Sequence, residues 1–340
     1  MSFASDNAAP IHPAILAAMA EANRGHAPSY GADAWTLRAE AMLHEVFETD
    51  CAVLMLPTGT AANAISLSAL APPWGAVFCH RAAHIAQDEA GAPEFFTGGA
   101  RLLLLDGVGA KIAPEDLDLA ASGYSRAWVH GAQPFAVSIT QASESGCVYQ
   151  PNEIAALGQV CRERGLHLHM DGARFANALA ATGASPAELS WRSGVSILSF
   201  GATKNGAMGL EAILCFDPAL KAALPHLRKR AGQLLSKHRY LAAQMVGYLE
   251  GGLWLELAAH ANAMARHLGE GLRQAGGLLR HDIEANSVFI DLSPDKVARL
   301  EAAGARSYPW LMDGPLTRRF VCSWASTQAE VDGALAALRP

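Results

Sequence analysis

Between residues 50 and 216, short β-type apolar runs alternate with helical stretches, and this alternation constrains the fold more than any other feature of the chain. The runs lie at 52–56, 76–79, 101–105, 136–140, 166–170, 195–199 and 212–216; each is apolar and too short for a helix. Between them lie stretches with helix signals. Residues 60–70 open at a polar cap, 114–121 carry proline near the first turn, and 151–164 begin at Pro151 and stop before Gly165. Strands alternating with helices predict an α/β fold with a mainly parallel sheet covered on both faces.

Beyond Asp217 the pattern changes. A helical tract is expected to about 248, where Glu-Gly-Gly interrupts it. Helix 253–275, strand 287–292, helix 294–303, strand 319–323 and helix 328–338 should follow. The chain therefore divides into a large domain, 1–248, and a small C-terminal α/β domain, 249–340. In open sheets of this type ligands bind beyond the carboxyl ends of the strands. The polar residues just after each run are thus the ones that can carry chemistry.

Composition narrows the function classes. With 51% apolar and 17% charged residues the chain is globular rather than disordered. A net charge of −6 gives no electrostatic reason to expect nucleic acid, and the basic tract 228–239 reads as a solvated helix face. No apolar run is long enough to cross a bilayer, and the opening MSFASDNAAPIHP lacks the basic-then-apolar pattern of a signal peptide. Six scattered cysteines without a CxxC pair read as free thiols in a reducing compartment, so a cytoplasmic location is expected.

Three segments following expected strands belong together. In Thr58-Gly-Thr-Ala-Ala-Asn63, Gly59 and Thr60 at a helix start offer backbone N–H groups and a hydroxyl to an anion, although the same pattern also makes a plain helix cap. In Asp171-Gly-Ala-Arg174, Asp171 can pair with a positive ring nitrogen and Arg174 can hold an anionic oxygen, or the two can form a local ion pair. In SFGATKNGAMG, Lys204 stands among Gly201, Gly206 and Gly209, which permit unusual backbone angles and the close approach of a ligand. A lysine screened from water favours its neutral, nucleophilic form and can form a Schiff base. An anion cup, then Asp171, then Lys204 is the protein half of pyridoxal phosphate chemistry, in the chain order of the aspartate-aminotransferase-like class, fold type I. His84 can stack on such a cofactor and move a proton, and His130 is a second candidate. Against this, His167, His169 and Asp171 alternate on one strand face and could ligate a metal. That alternative leaves Lys204 and the glycine cup unexplained, so no metal is expected.

Taken together, the chain resembles the low-specificity L-threonine aldolases, in the β-eliminating-lyase-like branch of fold type I. The resemblance runs nearly end to end, through FASDN, ANRGHAPSYGAD, GTAAN, AHIAQDEAGAPEFF, ITQASESG, LHMDGARFANA, FGATKNG, AGQLLSK, EANSVF and RFVCSW. It implies a pyridoxal 5'-phosphate enzyme that cleaves L-threonine-type β-hydroxy-α-amino acids to glycine and an aldehyde. It further implies that Lys204 carries the cofactor, that Asp171 faces the pyridine nitrogen, and that Arg174 touches the phenolic oxygen and the substrate carboxylate. Gly59 and Thr60, with Thr203, would hold the phosphate, and His84 would stack on the ring. Ser5 and Arg319 would bind the substrate carboxylate, and His130 would be the second histidine of the site. A homotetramer built as a dimer of dimers is implied, with Lys229 and Tyr30 serving a neighbouring subunit's site. Two departures stand out: Thr58 replaces the family's usual Asn, and Ala86-Gln87 occupy positions where relatives can carry an acid near His84. β-Elimination or transamination on the same scaffold, and a non-catalytic cofactor-binding protein, are the alternatives.

Overall fold

The seven apolar runs become seven strands in the computed structural model, which describes residues 2–124 and 127–339. They are β1 (Ala52–Leu56), β2 (Gly75–His80), β3 (Arg101–Leu105), β4 (Gln133–Thr140), β5 (His167–Gly172), β6 (Ile197–Gly201) and β7 (Glu211–Cys215). Their order in the sheet is β1-β7-β6-β5-β4-β2-β3. Every pair from β6 to β3 is parallel, while β7 runs antiparallel to both β6 and β1. The inner runs are largely buried on both faces, which keeps them rich in apolar residues, whereas the edge strand β3 stays partly exposed, with Leu104 at 46%.

One face packs the helix Gly59–Leu70, through Ile65 and Leu67, against Leu54, Leu56, Ile197 and Ile213. On the other face Phe200 of β6 meets the rings of Phe47, Phe175, Tyr248 and Trp254 at centroid distances of 5.7, 6.0, 6.2 and 5.6 Å. Aromatic burial of this density fixes the end of β6, and with it the turn that carries Lys204. The helix Pro151–Arg164 shows the expected grammar in full: proline in the first turn, a capping box between Gln150 and Glu153, and Gly165 left-handed at φ 65° as its cap.

A second sheet follows, with β8 (Leu278–Leu279), β9 (Ser287–Asp291), β10 (Tyr308–Pro309) and β11 (Thr317–Val321) in the order β10-β11-β9-β8, all antiparallel. The helices Leu253–Gln274, Pro294–Ala302 and Gln328–Ala336 accompany it. The N-terminus is shared between the two layers. Phe3 is buried in the core of the second sheet and accepts a hydrogen bond from Val321 N at 2.7 Å, whereas Ser5–Ala8 turns toward the first sheet.

Some expected elements differ from the observed ones. The helical tract to 248 is two helices, Leu224–Arg230 and Arg239–Leu249, separated by a turn in which Gly232 takes φ +73°. β11 starts two residues before the expected run, at Thr317. Its register sets Arg319 opposite Phe289 on one side and opposite Tyr308 on the other. Among the described residues no helix is long and apolar enough to cross a membrane.

Candidate active site

A cavity of about 410 Å³ opens beyond the carboxyl ends of β1, β2, β4, β5 and β6, and Phe289, Trp310 and Arg319 of the second layer face it from the other side. The anion cup follows β1. Thr58 caps the helix Gly59–Leu70, its hydroxyl accepting from Ala61 N at 3.3 Å. The first-turn amides of a helix have no internal acceptor, so Gly59 and Thr60 offer theirs to the cavity they line. A Cβ at Gly59 would meet no protein atom within 4 Å. Packing does not demand that glycine; the space above it is left clear.

Asp171 ends β5, 5% exposed. Its Oδ1 accepts from Ala173 N at 3.0 Å and its Oδ2 from Asn63 Nδ2 at 2.8 Å. The same Asn63 nitrogen donates to Glu89 Oε1 at 2.8 Å, and Glu89 Oε1 lies 2.9 Å from His84 Nδ1. The Glu89 hydrogen bond raises the His84 pKa above its ordinary value; burial and the Lys204 charge oppose this, and the Asp171 and Glu89 charges support it. Burial raises the Glu89 carboxyl, and the Asp171 charge adds to it. Glu144 accepts from His84 N at 2.9 Å and from Thr140 Oγ1 at 2.8 Å, and burial pushes its carboxyl up to about 7.

Lys204 stands on the turn after β6, lining the cavity with no hydrogen bond or ion pair to any described residue. Burial, followed by the charge of Arg174, lowers its pKa from 10.5, while Asp6, Asp171 and Glu211 pull the other way. Two of the glycines around it answer to the protein's own backbone. A Cβ at Gly201 would lie 2.7 Å from the backbone of Ala173, and Gly206 takes φ +109°. The Thr203 hydroxyl is occupied by the backbone of Leu210, donating to its oxygen at 3.2 Å and accepting from its nitrogen at 3.0 Å. Glu211 of β7 lines the cavity as well, pushed up to about 7 by burial.

The sequence pairing of Asp171 with Arg174 is replaced by another. Arg174 forms a two-point ion pair with Asp6, Nε to Oδ2 at 2.8 Å and Nη2 to Oδ1 at 3.0 Å. Asn286 Nδ2 supports the same carboxylate at 3.1 Å. Burial alone would raise the Asp6 carboxyl, but the charges of Arg174 and Lys204 and the hydrogen bonds from Arg174 and Asn286 outweigh it and hold the group below its usual value. Ser5 lines the cavity beside it. Arg319 has no carboxylate partner among the described residues; its guanidinium lies over the rings of Trp310 and Tyr308, at 5.2 and 5.8 Å.

Three sequence candidates lie away from this cavity within one chain. His130 is exposed and packs edge-on against Trp128, at 6.1 Å. Lys229 sits over the ring of Tyr30 at 5.1 Å, and neither lines the cavity. The alternating His167, His169 and Asp171 do not converge. His169 is fully buried between the hydroxyls of Ser138 and Ser199, at 2.9 and 3.0 Å, and burial lowers its pKa to about 4. His167 leans toward Asp217, at 3.5 Å. Among the described residues no three His, Cys, Asp or Glu side chains group as metal ligands.

A buried amine free of any ion pair, a carboxylate fixed at the cavity wall and a clear helix N-terminus fit the three things pyridoxal phosphate requires: a Schiff-base partner, a ring-nitrogen partner and a phosphate cup. Fold and site together define a pyridoxal-phosphate enzyme of fold type I. A family model described as beta-eliminating lyase matches residues 2–294, and the chain belongs to that family. A low specificity L-threonine aldolase of Pseudomonas aeruginosa is 48% identical over 324 residues, 95% of this chain and 92% of that protein. A solved threonine aldolase of Leishmania major superposes with a TM-score of 0.93 at 31% identity, covering 99% of this chain and 98% of the other. SPT solved with PLP shares the fold at 15% identity, with a TM-score of 0.71 over 99% of this chain and 86% of that one.

Proposed function

We propose that the protein cleaves L-threonine, L-allo-threonine and related β-hydroxy-α-amino acids, L-phenylserine among them, to glycine and an aldehyde. The observation that carries this reading is one cavity in which an unpaired lysine amine, an unneutralised arginine and a carboxylate-linked histidine face each other. The similarity to threonine aldolases from Pseudomonas and Leishmania supports it.

Pyridoxal 5'-phosphate, when bound, supplies a sink for the electron pair left at Cα as the Cα–Cβ bond breaks. Lys204 would provide the amine that holds the cofactor, and Asp171, braced by Asn63, would keep a proton at its ring nitrogen. Gly59 and Thr60 would hold the phosphate; Thr203, whose hydroxyl is bonded to Leu210, would reach it only by breaking that bond. Arg319, with Ser5 and the free Nη1 of Arg174, would grip the substrate carboxylate and so set the Cα–Cβ bond perpendicular to the plane of the electron sink. His84 would lie against the cofactor and take the proton of the β-hydroxyl as the aldehyde leaves. His130 can assist only from outside its own chain's cavity, as can Lys229 and Tyr30. Their placement suits a cytoplasmic homotetramer, a dimer of dimers, whose sites are shared across subunits. The chain divides functionally into a cofactor-binding part, 1–248, and a part, 249–340, that brings Arg319 to the substrate.

Incubation of purified protein with L-threonine and L-phenylserine tests the reaction. Glycine plus acetaldehyde or benzaldehyde is the expected outcome, and ammonia plus a keto acid would overturn it. Lys204→Ala should abolish both turnover and the cofactor's protein-bound visible absorbance.

A further inference from the structure

Glu89 has no place in the cavity wall, yet His84 and, through Asn63, Asp171 both lead to it. Its side chain is fully buried. Oε1 receives two hydrogen bonds, from Asn63 Nδ2 at 2.8 Å and from His84 Nδ1 at 2.9 Å, while Oε2 is buried with no partner. Asn63 spends both of its N–H bonds on carboxylates, one on Glu89 and one on Asp171, and leaves its own Oδ1 buried and unpaired. Turning the amide over would set that oxygen against two carboxylates, so its orientation is fixed by its neighbours. A buried acid with an orphan oxygen, braced by an amide with another orphan oxygen, is costly to fold around if it only fills space.

We propose that Glu89 is a positioning residue that holds a proton on Nδ1 of His84, with Asn63 as the brace that fixes Glu89 relative to Asp171. The inference rests on the reading of His84 as the base at the β-hydroxyl. A carboxylate acceptor at Nδ1 keeps the neutral imidazole in the tautomer whose free lone pair is on Nε2, the ring nitrogen for which no described residue serves as a partner. It also favours the imidazolium once a proton arrives there. The groups that face His84 are Glu89, Asp171 and Lys204, with Glu144 on its backbone N–H and Asp88 beside it at the cavity wall. Of these charges only Glu89 reaches the ring through a hydrogen bond, and its negative charge and acceptor oxygen both act to raise the His84 pKa. The sequence placed no acid at 86–87; the fold supplies one from position 89.

The test is nitrogen and carbon NMR of the histidine-labelled holoenzyme, with the His84 signals assigned by their loss in His84→Asn. Glu89→Gln keeps the shape of the side chain and removes its charge. Its His84 should titrate lower by about one pH unit or more and carry the acid limb of the kcat/KM profile with it, while the Gln oxygen still accepts from Nδ1. An unchanged midpoint in a variant that folds and binds the cofactor normally would overturn the proposal. If Glu89→Gln does not fold, Glu89→Asp keeps the charge and withdraws the oxygen; a weakened Nδ1–H signal supports the proposal and an unaltered one overturns it. The NMR readings use no substrate, so they stand apart from the aldol assay: ammonia as product would end the aldolase reading and leave the hold of Glu89 on Nδ1 of His84 intact.

Discussion

Asp6 closes on both arms of Arg174, Oδ2 at 2.8 Å from Nε and Oδ1 at 3.0 Å from Nη2. This pairing separates the work of the two arginines in the cavity. Arg174 already has its charge matched inside the protein. Arg319 lies on Trp310 and Tyr308, which attract a cation without neutralising it, so its guanidinium is the one left for a carboxylate. A charge-assisted hydrogen bond contributes about 1.5–3 kcal/mol, or about 10- to 100-fold in affinity. Arg319→Leu should therefore raise KM, and the dissociation constant of glycine in a spectral titration, by about 10- to 100-fold. The cofactor's absorbance should be retained. A KM that stays within about twofold of the parent would move the carboxylate to Arg174.

Lys204 gives a prediction in pH. Burial and then Arg174 lower its pKa in the folded chain, while the unfolded chain keeps the ordinary 10.5. Between the lowered value and 10.5 the unfolded state holds more protons, so the contribution of this group to apoprotein stability rises with pH. Below the lowered value both states are charged and the contribution is constant and unfavourable. Denaturant titrations of the apoprotein should show this upward slope, and Lys204→Met should remove it. Cofactor capture, followed by visible absorbance, should reach its full rate well before the pH of an ordinary lysine; a rate still climbing through 10.5 would mean that the amine is unperturbed.

How much of this was legible depended on whether the signal was local. The seven strands of the first sheet were, because each is a short β-type run bounded by turn residues, written by double-sided burial in the inner strands and by leucines in the edge strand β3. Asp171, Lys204 and Gly59 were, because each follows such a run. Asp6, Asn63, Glu89 and Asn286 were not: each is a single polar residue whose meaning lies in a partner distant in the chain or across a turn, as Asn63 is from Asp171. The Asp171–Arg174 pairing suggested by three-residue spacing lost to Asp6, which approaches from the other end of the sequence. β8 and β10 have two residues each, too few for any periodicity. The break between the helices Leu224–Arg230 and Arg239–Leu249 did have a signal, Gly232, that a run of basic helix formers concealed.

Glu144 predicts a slope of the opposite sign. Its carboxyl titrates near 7 in the folded state because of burial, against 4.5 when unfolded. Between these values the folded protein holds the extra proton, so this contribution is present at pH 4.5 and is lost as pH rises to about 7. Glu144→Gln keeps an acceptor oxygen for Thr140 Oγ1 and His84 N and removes the ionisation. The variant should match the parent in melting temperature near pH 5 and exceed it increasingly toward pH 8. A difference between parent and variant that stays constant from pH 5 to 8 would show that Glu144 is already ionised in the folded protein at pH 5.

Tyr30 and Lys229 decide whether one chain makes a whole site. The two touch, with Lys229 Nζ 5.1 Å above the Tyr30 ring, and Tyr30 N donates to Ser236 O at 3.0 Å, which ties the 29–31 turn to the loop between the two helices. Neither lines the cavity of its own chain, so a role in catalysis requires another chain's cavity. Lys204→Ala removes function from the subunit that bears it, whereas Lys229→Ala would remove it from a neighbour. Mixed oligomers of these two inactive variants then contain some sites with both lysines. Activity should reappear when the variants are mixed, partly unfolded and reassembled, and should stay absent from either variant treated alone. Silence in mixtures whose subunits have demonstrably exchanged would place every catalytic group within a single chain and leave the Tyr30–Lys229 contact as surface packing.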